Sequence, residues 1–317
     1  MNDKYTVSAL PKESIAKELT AAASRMEVRT DVLLREYTSF RIGGPADVFV
    51  EPQDEESLLS AVDCVWKLGV PYFILGNGTN ILAADDGYRG VVIRIGKPLS
   101  GIEADDTELT VGAGSLLSTV AAEAASRSLA GFAFAAGIPG SFGGACIMNA
   151  GAYGGEMKDV LRTVRVLTGE GQVRTIDREE MDLGYRRSGF ADRGDIVLSG
   201  TIRLVPGDQE AIRGEMEDLA ARRREKQPLN FPSAGSTFKR PEGYFAGKLI
   251  SDAGLKGYRI GNAAVSEKHA GFLINEGGAT AKDMAALISY VRAVVRRENG
   301  VELVPEVRFL GNVFLED

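Results

Sequence analysis

Three glycine-rich stretches hold the residues best suited to bind a ligand: residues 39–46 (SFRIGGPA), 76–82 (GNGTNIL) and 136–155 (AGIPGSFGGACIMNAGAYGG). None has the spacing of a Walker A loop or of a G-x-G-x-x-G dinucleotide fingerprint. The second stretch follows a predicted strand and offers bare backbone N–H groups beside short hydroxyl and amide side chains, which is typical of an anion nest. A pyrophosphate fits such a nest, although an ordinary surface turn has the same composition.

The third stretch allows a flat ligand to lie directly against the backbone. Its glycines carry no Cβ, so a ring can approach the main-chain atoms closely. A tight internal packing turn is the alternative, and the stretch alone leaves it open. The stretch lies within an uncharged run, residues 128–155, but eight glycines and Pro139 argue against a lipid-facing helix there.

The charge and the rare residue types exclude several classes of function. The chain has 37 basic and 44 acidic residues, and this net charge of −7 argues against a protein that binds nucleic-acid backbones. Cysteine occurs only as Cys64 and Cys146 and histidine only as His269, so we expect no disulfide framework and no metal site. The first twenty residues contain no apolar signal segment, so we expect a cytoplasmic protein without a membrane anchor.

Hydrophobic periodicity predicts the elements that position these stretches. A helix at 54–68 lies between strands at 46–51 and 72–75 in a βαβ-like unit. Thr280 and Asp283 resemble a capping box at the start of the last helix. Further helices are predicted at 14–25, 116–128, 209–225 and 281–297, and further strands at 90–95, 108–111, 164–167, 173–176, 195–204 and within 301–315. The predicted fold class is therefore α+β.

Taken together, the three glycine-rich stretches resemble the FAD-binding region of the UDP-N-acetylenolpyruvoylglucosamine reductase (MurB) family, within the vanillyl-alcohol-oxidase-like, PCMH-type flavoproteins. The resemblance continues through Tyr185-Arg186-Arg187-Ser188, KQPLNFPSAGSTFKRP, AGKLISDAGLKG, VSEKHAGFLIN and PEVRFLG, from about residue 32 to the C-terminus. The chain resembles the short form (type II), because the stretch between Ser236 and Asn275 has no room for the substrate-covering loop of the long form.

The resemblance implies a two-lobed PCMH-type FAD-binding fold followed by a C-terminal α+β substrate-binding domain. The expected limits are an N-terminal extension at 1–31, a FAD-binding domain at 32–206 with lobes at 32–97 and 98–206, a substrate-binding domain at 207–300 and a returning strand at 301–317.

The resemblance also implies a non-covalently bound FAD, with its diphosphate at the second glycine-rich stretch and its flavin at the third. The residues expected to bind it are Arg41, Ile42, Gly43, Gly76, Asn77, Gly78, Thr79, Asn80, Ile81, Gly137, Pro139, Gly140, Ser141, Gly143, Gly144, Asn149, Ala150, Gly151, Ala152 and His269. For His269, a structural role is an open alternative.

The reaction implied by the resemblance is the reduction of the enolpyruvyl ether of UDP-N-acetylglucosamine to UDP-N-acetylmuramate, in peptidoglycan synthesis. Hydride passes from NADPH through FAD N5 to the vinyl carbon C3, and the remaining enolate needs electrophilic groups at its carboxylate and a proton at C2. The matching motifs assign Arg186 and Glu306 to the carboxylate and Ser236 to proton delivery, helped by Lys239 or a water chain. Glu306 fits this role when it is protonated, so its pKa should be raised. An ionised carboxylate paired with Arg308 is the alternative.

The remaining substrate contacts are expected near a basic helix end. Arg223, Lys226 and Gln227 are assigned to the substrate diphosphate, against the alternative of a solvated helix C-terminus. Tyr185 and Arg308 complete the substrate set. A small molecule is the only partner expected, and the protein is expected to be a monomer.

Two other functions stay open. The first is a PCMH-type flavin oxidase; many of these carry a histidine bonded to the flavin, but no histidine precedes His269, so we expect no such bond in the FAD region. The second is a non-catalytic protein that binds a nucleotide sugar or a flavin. Such a protein would have no reason to keep Arg186, Ser236 and Glu306 together in their motifs.

Overall fold

The computed structural model describes residues 10–315, so the first nine residues of the expected N-terminal extension lie outside the described residues. The α-helices span Lys12–Ala22, Glu55–Leu68, Leu117–Ser126, Phe142–Met148, Met157–Val160, Gly189–Asp192, Gln209–Lys226, Ala246–Asp252 and Ala281–Asn299. Short 3₁₀ turns lie at Leu34–Glu36, Lys97–Leu99, Ala133–Ala135 and Arg178–Glu180. Between residues 10 and 315, no helix is both long and apolar enough to cross a membrane.

The strands form three larger sheets and three pairs among the described residues. In spatial order, the first sheet contains Met26–Leu33, Pro45–Pro52, Tyr88–Arg94 and Tyr72–Leu75. The second contains Val173–Asp177, Leu161–Leu167, Ile196–Arg203, Glu108–Gly112 and Ile102–Asp105. The third contains Ser233–Ser236, Phe272–Asn275, Ala263–Val265 and Arg259–Ile260. The pairs are Ile81–Ala83 with Arg308–Leu310, Leu129–Ala130 with Val205–Pro206, and Gly151–Ala152 with Gly155–Glu156.

Local signals explain where the two best-defined helices begin and end. Asp54 caps the helix Glu55–Leu68 by accepting from the Ser57 N–H at 2.9 Å, and Gly69 ends it at a φ of 62°. The helix Ala281–Asn299 begins with the predicted capping box, in which the Thr280 hydroxyl accepts from the Asp283 N–H at 3.0 Å. Gly300, at a φ of 68°, ends that helix.

Two large hydrophobic cores and two smaller clusters lie against these sheets in the described part of the chain. The first joins the first and second sheets to the helices Glu55–Leu68 and Leu117–Ser126. The second joins the third sheet to the helix Ala281–Asn299 and also includes Phe40, Ile42 and Leu82 from the N-terminal half of the chain. The two halves of the molecule therefore share apolar contacts next to the second glycine-rich stretch.

The α+β class and most of the predicted elements are confirmed, with ends that move by a few residues. The prediction of a β-rich segment at 301–315 is wrong for most of its length, because only Arg308–Leu310 forms a strand there. Pro305 has no N–H to donate to a ladder, and its contact with Phe238 is an isolated bridge. The expected domain limits stay a prediction; Met216, in the helix Gln209–Lys226, packs on the first core although the prediction assigns that helix to the substrate-binding domain.

Candidate active site

The loop at residues 76–80 follows the strand Tyr72–Leu75, at the carboxyl end of a parallel part of the first sheet. Ligands commonly bind at this edge of parallel strands. Gly78 has a φ of 62°, and a Cβ on it would lie 1.9 Å from the Tyr37 carbonyl oxygen, so the tight turn requires glycine. The Ser39 N–H donates to the Gly78 carbonyl at 3.0 Å. The first glycine-rich stretch therefore packs against this loop and is hydrogen-bonded to it.

The third glycine-rich stretch faces this loop and closes a cavity of about 810 Å³, the glycine cavity. The Asn77 amide donates to the Pro139 carbonyl at 2.6 Å, and a Cβ on Gly76 would lie 2.6 Å from the Ser141 Oγ. The expected cofactor residues that line the cavity are Gly76, Asn77, Gly78, Thr79, Asn80, Ile81, Gly137, Pro139, Gly140, Ser141, Gly143, Gly144, Ala150, Gly151, Ala152 and His269. The two stretches that the sequence singled out therefore form one site.

Four of the expected cofactor residues do not line the glycine cavity. Arg41, Ile42 and Gly43 lie in the supporting stretch, where Ile42 belongs to the second hydrophobic core. Asn149 is buried, and its amide donates to Glu156 at 2.8 Å and to the Gly184 carbonyl at 2.9 Å. The contact of these four residues with a cofactor therefore stays a prediction, and their observed contacts support the segments that line the cavity.

A second cavity, of about 690 Å³, adjoins the glycine cavity, and we call it the basic cavity after Arg186, Arg240, Lys248 and Lys256 in its lining. Four residues line both cavities, and these are Arg186, Ser236, His269 and Glu306. The chain brings them together from positions up to 120 residues apart. The three residues expected to do the chemistry therefore lie at the boundary between the two cavities.

Arg186 and Glu306 form a contact that the sequence did not predict. The Arg186 Nε donates to the Glu306 Oε1 at 2.7 Å, whereas the sequence offered Arg308 as the partner of Glu306. Burial raises the pKa of Glu306, and the positive charge and hydrogen bond of Arg186 oppose that rise. The direction of the pKa shift agrees with the expectation for a carboxyl group that keeps its proton.

Arg186 has a strained backbone conformation within a tight turn. Gly184 and Arg187 exchange hydrogen bonds of 3.0 and 3.2 Å around a two-residue turn, in which Arg186 has a φ of 55°. Non-glycine residues adopt this conformation at a cost of about 1 kcal/mol. Asn149 holds the turn through the Gly184 carbonyl, so the third glycine-rich stretch also positions Arg186.

Ser236 and His269 both lie close to Gly271. A Cβ on Gly271 would lie 3.5 Å from the Ser236 Oγ and 3.0 Å from the His269 Cε1. The Ser236 hydroxyl donates to the Phe238 carbonyl at 3.3 Å, which is a long bond for a hydroxyl donor. The His269 Nδ1 accepts from the Gly271 N–H at 3.1 Å, and burial, followed by the charge of Lys256, lowers the pKa of His269. The neutral ring therefore carries its proton on Nε2.

The residues that were expected to bind the substrate lie in different parts of the structure. Arg223, Gln227 and Arg308 line the glycine cavity, and Arg223 Nε donates to Gln227 Oε1 at 2.8 Å. Lys226 is exposed on the last turn of its helix and lines neither cavity. Tyr185 lines the basic cavity, with its ring 5.3 Å from the Arg186 guanidinium carbon. Arg223 and Lys226 are three residues apart on this helix and share roughly one face of it, so helix periodicity alone does not explain their different surroundings.

Sequence reasoning missed several residues of the basic cavity. Arg240, Phe245, Lys248 and Lys256 line it, and the Arg240 guanidinium carbon lies 4.0 Å from the centre of the Phe245 ring. All four lie inside the motifs KQPLNFPSAGSTFKRP and AGKLISDAGLKG or directly beside them. Their proximity to those motifs was the available signal, but only the fold turns them to the same side.

The glycine cavity fits FAD on its own features. Its walls include glycine-rich backbone that a flat ring can approach, and its loop at 76–80 has the composition of an anion nest. Within residues 10–315, the Arg223 Nη1 is buried without a hydrogen-bond partner, beside Gly137. A buried donor without a partner is costly, and an anionic or carbonyl-rich ligand would satisfy it. The fold and the site thus have the features of a dinucleotide-binding flavoprotein with a second, basic cavity beside the cofactor cavity.

Comparisons with known proteins identify the family. Residues 46–177 match the FAD binding domain model, and residues 227–310 match the model of the C-terminal domain of UDP-N-acetylenolpyruvoylglucosamine reductase. The chain is 48% identical over 311 residues to the UDP-N-acetylenolpyruvoylglucosamine reductase of Agathobacter rectalis, covering 94% of this chain and 99% of that one. It is 50% identical over 301 residues to the reductase of Lachnoclostridium phytofermentans, covering 94% and 97%.

A solved structure agrees with this result. The crystal structure of UDP-N-acetylenolpyruvylglucosamine reductase (MurB) from Thermus caldophilus aligns with a TM-score of 0.77 at 36% identity, over 90% of this chain and 99% of that chain. The chain belongs to the UDP-N-acetylenolpyruvoylglucosamine reductase (MurB) family. It is an FAD-dependent oxidoreductase, as the resemblance implied.

Proposed function

We propose that this chain reduces enolpyruvyl-UDP-N-acetylglucosamine to UDP-N-acetylmuramate for peptidoglycan synthesis, with NADPH as the donor. The main support is the position of Arg186, Ser236 and Glu306 on the boundary between the glycine cavity and the basic cavity. A cofactor in the first cavity and a substrate in the second would meet at these three side chains. The names of the relatives support the same reaction.

The cofactor is held mainly by backbone in this proposal. The N–H groups of the loop at 76–80 and the Thr79 hydroxyl bind the diphosphate, and the backbone at 137–144 and 150–152 supports the flavin. We reassign Arg223, Gln227 and Arg308 from the substrate to the cofactor, because all three line the glycine cavity. When bound, FAD accepts a hydride from NADPH and donates a hydride to C3 of the substrate.

Arg186 and Glu306 stabilise the charge that develops at the substrate carboxylate. Arg186 has five N–H donors, and its contact with Glu306 uses its Nε, so the guanidinium has further donors for a carboxylate. Burial raises the pKa of Glu306, which favours its neutral form against the opposing charge of Arg186, and in that form the acid donates a hydrogen bond to the enolic oxygen.

Ser236 donates the proton to C2. Its long bond to the Phe238 carbonyl competes weakly with a substrate, so the hydroxyl hydrogen can turn into the cavity. Lys239, which the sequence suggested as an aid to proton delivery by Ser236, lines neither cavity. Its positive charge instead acts to lower the pKa of Glu306. Water in the basic cavity is therefore the remaining route by which the hydroxyl regains a proton.

The substrate diphosphate lies against Arg240, Lys248 and Lys256 in this proposal. These side chains line the basic cavity and supply the positive charge that a nucleoside diphosphate requires. Tyr185 stays in the substrate set because it lines the same cavity. We further propose that the enzyme works as a monomer in the cytoplasm.

Anaerobic spectroscopy of the purified yellow protein tests the reaction. NADPH should bleach the flavin absorbance, and the enolpyruvyl substrate should restore it without oxygen. If the colour does not bleach, or if it returns only with oxygen, the reductase assignment is wrong.

The flavin oxidase remains the second candidate because of His269. The sequence predicted no covalent bond between a histidine and the flavin in the FAD region, while His269 was predicted to bind FAD, and His269 does line the glycine cavity. Acid precipitation separates a released flavin from one bonded to the protein. We expect the yellow colour to stay in the supernatant.

A further inference from the structure

The two asparagines of the loop at 76–80 hold different parts of the site. The Asn77 amide donates to the Pro139 carbonyl at 2.6 Å, across 62 residues of sequence. The Asn80 amide donates to the Glu306 carbonyl at 3.0 Å, across 226 residues. The sequence suggested that both amides serve an anion, but each one joins the loop to another segment of the active site.

Asn80 holds the segment around Glu306 at two points. Besides the bond from its side chain, its own carbonyl accepts from the Arg308 N–H at 2.9 Å. From the other side, the Glu306 N–H donates to the Thr237 carbonyl at 2.8 Å, next to Ser236. The main chain of Glu306 is therefore fixed between the loop at 76–80 and the strand that carries Ser236.

We propose that Asn80 is a positioning residue for the reaction: through the main chain of Glu306, it fixes where the Glu306 carboxyl group meets Arg186 and the substrate. This inference rests on the proposed function. Without the Asn80 amide, the Glu306 carbonyl loses its side-chain donor, and the segment is free to shift. A misplacement of about 1 Å can lower a rate about 10²-fold.

The expected effect is confined to one half of the reaction. Glu306 acts on the substrate, so Asn80→Ala should slow the reoxidation of the flavin by the enolpyruvyl substrate about 10- to 100-fold. Reduction of the flavin by NADPH should keep its rate, because that step does not use Glu306. A general loosening of the fold would instead slow both steps or neither.

A double-mutant cycle with Glu306→Ala separates positioning from other effects. At saturating FAD, Asn80→Ala should slow flavin reoxidation about 10- to 100-fold in the wild-type background and less than about 3-fold in the Glu306→Ala background, since the side chain that Asn80 positions is then absent. Asn77→Ala is the matched control, because it removes the same kind of donor from the same loop. Asn77→Ala should change the rate of flavin reoxidation by the same factor in the two backgrounds of the cycle.

Asn80→Asp provides a second route if Asn80→Ala does not fold, because it keeps the size of the side chain and removes the donor. Titration of the apoprotein with FAD accompanies each variant. The inference would be overturned if the Asn80 variants slowed flavin reoxidation by the same factor in both backgrounds, or if saturating FAD restored the wild-type rate. The proposed function would then stay intact. Failure of the wild-type flavin to be reoxidised by the substrate would instead overturn the proposed function, and the inference with it.

Discussion

The glycine cavity and the basic cavity differ in how their lining residues are distributed along the sequence. The glycine cavity takes most of its expected cofactor residues from two stretches that are each continuous in sequence, and other segments complete its lining. The basic cavity is lined by side chains from the turn at Arg186, the segment after Ser236, the helix Ala246–Asp252 and the irregular segment at Glu306. A site made of backbone leaves a compositional motif in the sequence, whereas a site made of side chains depends on how distant segments pack.

The largest expected effect tests the separation of chemistry from cofactor binding. Ser236→Ala should lower the rate of flavin reoxidation by the enolpyruvyl substrate about 10²- to 10⁴-fold, because the general acid is lost. Stopped-flow absorbance of each half-reaction measures this. The rate of flavin reduction by NADPH is the internal control, and a loss of equal size in both half-reactions would contradict the assignment.

The next effect tests the glycine cavity. In Gly78→Ala the new Cβ would lie 1.9 Å from the Tyr37 carbonyl oxygen, so the loop must move, and we expect FAD affinity to fall about 100-fold. Titration of apoprotein with FAD measures the dissociation constant.

Gly254→Ala is the matched control for Gly78→Ala. Gly254 also has a positive φ, 72°, but no atom lies within 4 Å of the position of its Cβ. The control therefore carries the backbone strain without the clash, and it should keep its FAD affinity. Equal losses in the two variants would mean that strain, and not close approach, controls the site.

A smaller effect concerns pH. Burial raises the pKa of Glu306, so the group is protonated where a free glutamate is ionised, and its function should be full at low pH and fall as pH rises through the raised pKa. Glu306→Gln keeps a donor that does not titrate, so the alkaline fall in kcat should vanish while the rate at low pH drops about 10-fold. A pH profile of kcat measures both, and an alkaline fall that persists in Glu306→Gln would assign it to another group.

The smallest effect lies outside both cavities. Gly214 is exposed in the interior of the helix Gln209–Lys226, with open space around its Cβ position. Gly214→Ala should raise the free energy of unfolding by about 1 kcal/mol through helix propensity. Urea denaturation measures this, and FAD affinity and both half-reactions should not change. A change in either would mean that this helix is coupled to the site.

The sequence was informative where a local pattern dictates the structure. The capping box at Thr280 and the end of the first long helix at Leu68 appear where they were predicted, because caps and turns depend on neighbouring residues. The two glycine-rich stretches at 76–82 and 136–155 could be singled out for the same reason. The segment at 301–315 was predicted less well, since β-forming residues become strands only where a partner strand is available.

The sequence by itself determined the ligand-compatible glycine loops, the α+β elements and the set of motifs that relate the chain to its family. Only the tertiary structure decided that Arg186 contacts Glu306, that Arg223 faces the glycine cavity and Lys226 does not, and that Asn80 holds Glu306 in place. The physical reason is range: turns and caps are formed within a few residues, whereas these contacts join segments up to 226 residues apart and depend on how the two cores pack.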